Sequence, residues 1–500
     1  MFMPRSSFEK ENNTYQFLPF RFERWGDNRF FLSNEVGEFT FLGVKAFRDF
    51  INQELCTSSV EFKNLSAKHF LFQDSSTVHL DLLASKYRTK RAFLDGFTKL
   101  HIFVTTLRCN QSCPYCQVSR KDEQAAINHF DMSVHTLRKS IELMLSSPAP
   151  HVTMEFQGGE PLLNFELIRQ GVEIAKELNQ SIGKEIDFVI CTNLVTLTDE
   201  HLDFCEKEGV LLSTSLDGPE ALHNRNRPFQ GGGGSYDAVV RGIRRAQEAL
   251  GKHSVSALMT TTRHSLEHAD AIVDEYLKLD MGSIFIRELN PYGFAIKTAN
   301  SIGYSSSEFV QFYKKVFERI IEVNRQGRTF SEAFASLILT KVLTPWPIGF
   351  VDLQSPAGAG LGVVVYNYDG DVYTSDEGRM LAEAQDTMFR MGNVHEDDYD
   401  QIFFGEKMQE IAAASCNEAL AGCSDCAFQN YCGADPVRNH RTQHDMFGHR
   451  AKKGTFCDRN KPIIRYLIET LDAADADLQS ILWAWIRRED VNDMQVGKIK

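Results

Sequence analysis

The chain of 500 residues predicts a mixed α/β architecture whose centre is a parallel sheet wrapped by helices. Three observations carry that expectation. From Leu100 onward, apolar runs of strand length alternate with stretches of helical periodicity. The polar and glycine-bearing motifs fall where those strands end, the edge at which such sheets gather their sites. At this length, with 43% apolar and 24% charged residues, the chain is ordinary globular material that divides into two to four domains.

Taken in order, residues 1–98 are rich in phenylalanine, and Arg29 to Leu42 reads as two strands around an Asn34-Glu35-Val36-Gly37 turn. An amphipathic helix follows from Val44 to about Leu55. Six strands are expected at Leu100–Leu107, Val152–Phe156, Asp187–Cys191, Val210–Leu216, Ser254–Thr260 and Ser283–Leu289. Ser307 to about Gln326 is helical in pattern, and Leu361 to Tyr373 is a hairpin turning at Asp369-Gly370. Lys461 to Arg488 reads as a last helix, with a frayed tail to Lys500.

The chemistry starts at Cys109, Cys113 and Cys116, spaced C-x-x-x-C-x-x-C directly after the first strand. Three thiolates can each ligate one iron of a four-iron, four-sulfur cluster and leave the fourth iron open to a substrate. A structural zinc site wants four ligands in paired sets, and no fourth lies nearby. Gly158-Gly159-Glu160-Pro161 follows the second strand, where glycines let the backbone approach a ligand closely. A second set, Cys423, Cys426, Cys432 and Cys457, fits a zinc ribbon or an iron-sulfur site. Eleven cysteines, an odd number in two clusters, read as metal ligands in a reducing compartment. The net charge of −13 argues against a general nucleic-acid binder. The absence of an apolar h-region or a spanning run leads to the expectation of a cytoplasmic protein with no membrane partner.

The three-cysteine spacing, Tyr115 just before the last cysteine and the preceding strand resemble the signature of the radical S-adenosylmethionine (SAM) enzymes. That resemblance implies a partial (β/α)6 TIM-like barrel over residues 99–310, a [4Fe-4S] cluster on Cys109, Cys113 and Cys116, and SAM chelated to the open iron. One electron from the cluster then splits SAM into methionine and a 5′-deoxyadenosyl radical. It implies SAM contacts from Tyr115, from Gly158, Gly159 and Glu160 at the amino group, and from Asn193, which is followed by Leu194 where the family has glycine. It also implies contacts from Ser215, from Leu289 on the adenine side, and from Arg227, in the same stretch as His223. A guanidinium is the natural bidentate partner of a carboxylate.

After a helical linker, 311–349, the second cysteine set resembles the SPASM extension (350–460), which carries auxiliary clusters in peptide-modifying enzymes. Cys423, Cys426, Cys432 and Cys457 match one complete ligand set. The other set is missing: no cysteine lies between Cys205 and Cys416, Ser375 stands at the hairpin-end position and Pro436 stands four residues beyond Cys432. One auxiliary cluster is therefore expected, with Cys416 spare or a substitute ligand. Residues 1–98 are similar to the winged-helix domains that grip leader peptides, a role for which an open sheet edge is suited; a structural cap on the barrel is the other reading.

Leu18-Pro19-Phe20-Arg21-Phe22 and Cys432-Gly433-Ala434-Asp435-Pro436-Val437 look most like the His-Xaa-Ser system maturases. The implied activity is side-chain cross-linking of a ribosomally made precursor peptide into a three-residue cyclophane. Asp376 stands as the candidate base, and a flavodoxin or ferredoxin as electron donor. Two alternatives stay open: an anaerobic sulfatase-maturating, formylglycine-forming enzyme, and an iron-sulfur redox sensor or scaffold without turnover.

Overall fold

The computed structural model describes residues 15–73, 77–448 and 456–494. The N-terminal unit is a three-stranded antiparallel sheet, β1 (Phe20–Trp25), β2 (Arg29–Asn34) and β3 (Phe39–Gly43), in that spatial order. The expected turn between β2 and β3 forms because the Asn34 side chain accepts from the Val36 and Glu38 N–H groups at 3.2 and 3.0 Å while Gly37 takes φ +77°. Helix α1 (Val44–Ile51) stops short of Leu55, since Gln53 enters the left-handed region at φ +59°. Helices α2 (Val60–Ala67) and α3 (Val78–Arg91) complete the unit.

One face of the small sheet packs on its own helices, with Phe30 stacked on Phe47 at 4.0 Å. The other face is covered by the distant cysteine-bearing segment. Phe31 stacks on Phe428 at 5.4 Å, the Ser33 hydroxyl donates to the Ala427 carbonyl at 2.6 Å, and the Tyr431 hydroxyl donates to Gly37 at 2.9 Å. Glu23 pairs with Lys461 and Arg465 at 2.5 and 2.8 Å. The unit thus sits on the second cysteine segment.

Six strands then run parallel and adjacent in chain order: β4 (Leu100–Thr106), β5 (His151–Gly158), β6 (Glu185–Cys191), β7 (Val210–Ser215), β8 (Val255–Thr260) and β9 (Ser283–Arg287). Helices α4 (Val134–Ser146), α5 (Phe165–Asn179), α6 (Asp199–Glu208), α7 (Tyr236–Leu250) and α8 (Ala269–Lys278) alternate with them. The period of two sorts β5 cleanly: Val152, Met154 and Phe156 are fully buried in the core with Leu137, Ile141 and Ile168, while Glu155 and Gln157 face the barrel interior. Each apolar side chain buried in this way stabilises the barrel by roughly 1.5–3 kcal/mol.

Helix α9 (Ser306–Arg325) starts at a Ser305/Glu308 capping box, and a short β10 (Ser331–Glu332) extends the sheet beyond β9 before α10 (Ala333–Leu343). The expected hairpin forms as β11 (Val363–Tyr366) and β12 (Asp371–Tyr373), but its seat was not legible from sequence. β11 pairs parallel with β4, Val363 opposite Leu100, so the hairpin and β13 (Arg390–Asn393) prolong the barrel sheet to ten strands. Short helices α11 (Asp376–Ala382) and α12 (Pro436–Gln443) follow.

In place of one C-terminal helix there are two, α13 (Phe456–Asp472) and α14 (Ala476–Arg487), because the Asp475 side chain caps a new start by accepting from the Leu478 N–H at 2.7 Å. Residues 489–494, expected to fray, are anchored: the Val491 N–H reaches the Thr329 hydroxyl and the Asn492 amide reaches the Gly327 carbonyl, both at 3.0 Å. The rest of that tail, 495–500, lies outside the described residues. No helix among the described residues is long and apolar enough to cross a membrane.

Candidate active site

A cavity of about 480 Å³ runs from the carboxyl ends of the barrel strands inward as far as Leu100 and Val363. That is the size range of small-molecule and cofactor pockets. Cys109, Cys113 and Cys116 open on it together with Tyr115, Gly158, Gly159, Asn193, Ser215 and Arg227. Burial raises the Cys113 thiol to about 12, partly opposed by the Arg227 charge, and it raises Cys109 as well. The Tyr115 hydroxyl donates to Asp217, whose other oxygen accepts from Arg227 Nε at 3.2 Å, and the Arg227 guanidinium lies 5.3 Å from the Tyr115 ring centre. Burial works against the Arg227 charge, but Asp217, Tyr115 and Cys113 outweigh it and keep the guanidinium cationic.

The two glycines are required by a close passage. A Cβ on Gly158 would meet the Thr106 carbonyl oxygen at 2.1 Å, and one on Gly159 would meet that of Arg108 at 2.1 Å. In that contact the Gly159 and Glu160 N–H groups donate to Thr106 and Arg108 at 2.7 and 2.8 Å, binding the turn to the cysteine loop.

Glu160 does not line the cavity. Its fully buried carboxylate accepts from the Thr192 hydroxyl at 2.6 Å and from the Asn193 and Leu162 N–H groups at 2.8 and 3.0 Å, so it holds the 192–193 turn in place. Asn193 in turn donates to Asn110 at 2.7 Å. Leu194, at φ +61°, takes the left-handed conformation that favours glycine, and Gly242 of α7 lies against it. Leu289 packs on the Tyr115, Cys113 and Cys116 group outside the cavity lining. His223 is a core residue: it accepts from the Asp217 N–H at 3.4 Å, contacts Ser235 at 3.2 Å, and burial lowers it to about 4.

Asp376 is the first residue of α11, lines the cavity and pairs with Arg379 at 3.0 Å. Ser375 before it caps the helix by accepting from the Gly378 N–H at 3.2 Å, and Pro436 opens α12 under the cap of Asp435. Two of the positions where the missing ligand set lacks a cysteine thus serve as helix starts.

Sequence reasoning singled out neither Glu155 nor Cys191. Both face the cavity, and the Cys191 thiol bridges the Glu155 carboxyl and the Ser213 hydroxyl across three adjacent strands. Burial pushes Glu155 up to about 7, with the Cys191 hydrogen bond and Arg287 opposing and Asp376 adding to the rise. The available signal was a lone charge inside the apolar run Val152 to Phe156.

The radical SAM superfamily profile matches residues 103–275. Residues 103–275 are a radical SAM domain. Among curated proteins, a cysteine-type anaerobic sulfatase-maturating enzyme of Clostridium perfringens is 23% identical over 370 residues, 73% of this chain and 94% of that enzyme. Among solved structures, native anSMEcpe with bound AdoMet and the Cp18Cys peptide aligns with a TM-score of 0.60 at 20% identity, over 75% of this chain and 99% of that one. Streptococcus suis SuiB bound to its precursor peptide SuiA aligns at 0.52 with 12% identity, over 88% and 99%.

A radical SAM domain uses a [4Fe-4S] cluster and SAM, and the residues present fit both. Three thiols share one cavity, the buried Gln111 amide nitrogen beside them has no protein partner, and the glycine turn leaves backbone where any Cβ would clash. No three His, Cys, Asp or Glu side chains among the described residues converge on a single-ion site; a cluster takes its thiolates at separate corners. Beyond the radical SAM domain, Cys423, Cys426 and Cys457 lie near enough to Cys432 to add to the rise of its thiol, which burial dominates and carries to about 12. Cys416 stands apart, donating to the Ala412 carbonyl at 3.3 Å.

Proposed function

We propose that this chain is a peptide-modifying radical SAM enzyme that cross-links side chains of a ribosomally made precursor, in the manner of the cyclophane-forming His-Xaa-Ser maturases. The observation that carries the reading is the N-terminal unit. The likeness to SuiB, solved with its precursor peptide, extends over 88% of this chain against 75% for the sulfatase-maturating structure. The outer edges of β1 and β3 pair with no further strand among the described residues, and an extended leader can add there as another strand.

On this reading Cys109, Cys113 and Cys116 hold the SAM cluster, and Cys423, Cys426, Cys432 and Cys457 hold one auxiliary cluster. Bound cluster and SAM supply a one-electron cleavage that yields a hydrogen-abstracting carbon radical. Arg227 receives the SAM carboxylate, and Tyr115, Gly158, Gly159, Asn193 and Ser215 wall the SAM side. Glu160 and Leu289 act one step back, fixing the 192–193 turn and the Tyr115 ring. Asp376, oriented by Arg379, takes the proton released when the ring rearomatises, and the auxiliary cluster would accept the electron lost with it. A flavodoxin or ferredoxin supplies the electron, in the cytoplasm, where cysteines stay out of disulfides.

Anaerobic sulfatase maturation is the second reading, favoured by the identity to the C. perfringens enzyme over 73% of this chain. The reconstituted, reduced chain is incubated with SAM and either a short precursor encoded beside it or a cysteine- or serine-bearing sulfatase peptide. A precursor that loses two hydrogens and gains a link between side chains supports the proposal. A hydrazine-reactive aldehyde on the sulfatase peptide, with the precursor untouched, overturns it. No 5′-deoxyadenosine under any condition leaves the redox-scaffold alternative.

A further inference from the structure

One part of the cavity wall forms a carboxylate-lined chamber that none of these roles uses. Asp352 ahead of β11, Glu377 in the first turn of α11 and Asp435 at the start of α12 face it, with the ring of Tyr292. Nearby cations leave these carboxylates undercompensated. Arg438 and Arg459 both point at Glu288, and Arg287 reaches Glu377 at 3.3 Å. Asp435 accepts from the Arg438 N–H at 2.8 Å, and the Asp352 carboxylate has no hydrogen bond or ion pair with the described residues. Burial, and then mutual repulsion, raises all three carboxyls.

A second observation points to a ligand. The Tyr292 side chain is 1% exposed and lines the chamber, yet its hydroxyl has no hydrogen-bond partner. Buried polar groups in folded proteins are nearly always paired, and each exception calls for an explanation. What would satisfy an orphan hydroxyl and undercompensated carboxylates together is a cation with several N–H donors.

We propose that this chamber receives a cationic side chain of the peptide substrate, an ammonium or guanidinium held by Asp352 and Asp435 with the Tyr292 hydroxyl completing its hydrogen bonds. Met380, which also lines the space, supplies an apolar surface for the alkyl stem. The inference rests on the reading that the substrate is a peptide, and it makes a basic residue part of the modified segment. SAM also carries an ammonium, so the test must separate the two sources.

The full chain with its clusters reconstituted, anaerobic and without reductant, is titrated calorimetrically at pH 8 with Nα-acetyl-lysine methylamide, and with the norleucine and glutamate analogues, in saturating SAM. The lysine analogue binds at least tenfold more tightly than either control. Asp352→Asn and Asp435→Asn each remove at least tenfold of that binding, and Tyr292→Phe severalfold, while the weak norleucine response stays. Equal binding of lysine and norleucine, no saturable lysine response at tens of millimolar, or lysine binding that appears only when SAM is left out overturns the proposal. As a check against misfolding, Asp352→Asn without ligand raises the thermal midpoint at pH 8, because it removes a charge that burial and Asp435 disfavour more than Arg287 and Arg459 favour it; a lowered midpoint also counts against the chamber. Lysine binding in a chain that makes no 5′-deoxyadenosine would defeat the proposed function alone, and turnover without lysine binding would defeat this inference alone.

Discussion

Replacing Glu155 by glutamine makes a sharp test of the barrel interior, because the change is isosteric and removes only a charge. Glu155 faces Cys191 on β6, Asp376 on α11 and Arg287 on β9, and burial raises its carboxyl from 4.5 to about 7. A carboxyl raised by folding binds its proton more tightly in the native state. Its favourable contribution is therefore complete below about pH 4.5 and is lost as the pH climbs to 7, above which ionisation inside the barrel works against the fold. A shift of this size corresponds to about 3 kcal/mol at pH 8. With an unfolding entropy of about 2 cal/mol/K per residue over a chain of this length, that is a rise of about 3 °C in the thermal midpoint of Glu155→Gln at pH 8. Scans at one fixed rate, run at pH 5, 6, 7 and 8, should give a gap of about 1 °C or less at the lowest pH that widens upward. A gap independent of pH, or a variant less stable than the parent at pH 8, would refute the assignment of Glu155 as an uncompensated interior carboxylate.

Three further outcomes follow from the site. Alanine at Cys109, Cys113 or Cys116 abolishes 5′-deoxyadenosine formation from SAM and dithionite, and undiminished product from any one of them sinks the cluster assignment. The reconstituted chain holds about eight irons, the triple alanine variant about four, and further loss of Cys426 removes these; zinc in the residual site by metal analysis would contradict the count. Gly159→Ala drives a Cβ to 2.1 Å from the Arg108 carbonyl, so the cysteine loop must shift by about 1 Å, and stability falls by about 1–3 kcal/mol with loss of iron at the first site only. Unchanged iron content and midpoint would show that the close passage is not demanded.

The parts legible in the sequence were those fixed by local pattern. Cysteine spacing located both thiol sets, and strand periodicity placed the six barrel strands with small differences at their ends, because both signals are carried within a few residues. What escaped was set by distant partners. β1 escaped although Phe20 and Phe22 alternate with Arg21 and Glu23, since its pairing with β2 depends on a tight turn at Gly26. The seat of the N-terminal sheet depends on Phe428, some four hundred residues away. Glu160 matched a motif, but which way its carboxylate turned was decided by Thr192 and Asn193. Leu194 departs from glycine at a left-handed position, and the compensating room comes from Gly242 on another element.

The register of the hairpin has a consequence for direction. β11 runs parallel to β4, Val363 opposite Leu100, and β12 returns antiparallel with Tyr373 opposite Val365. Past β12 the Gly360 N–H meets the Thr374 carbonyl at 2.7 Å and α11 begins at Asp376. From there Glu377 reaches Arg287, the last residue of β9, at 3.3 Å, and Arg379 donates to the carbonyl of Val118, two residues past Cys116, at 3.3 Å. Asp376, the cysteines and Glu155, opposite Ile102 on β4, thus face one cavity. On the proposed reading, hydrogen abstraction starts beside the thiols and proton removal belongs to Asp376, which requires both reacting side chains of the peptide to enter that cavity. A one-residue slip of β11 against β4 would turn its inward side chains to the other face and move Asp376 away from these contacts. The geometry of the base is consequently set by strand pairing between two regions that the linear sequence keeps more than two hundred and fifty residues apart.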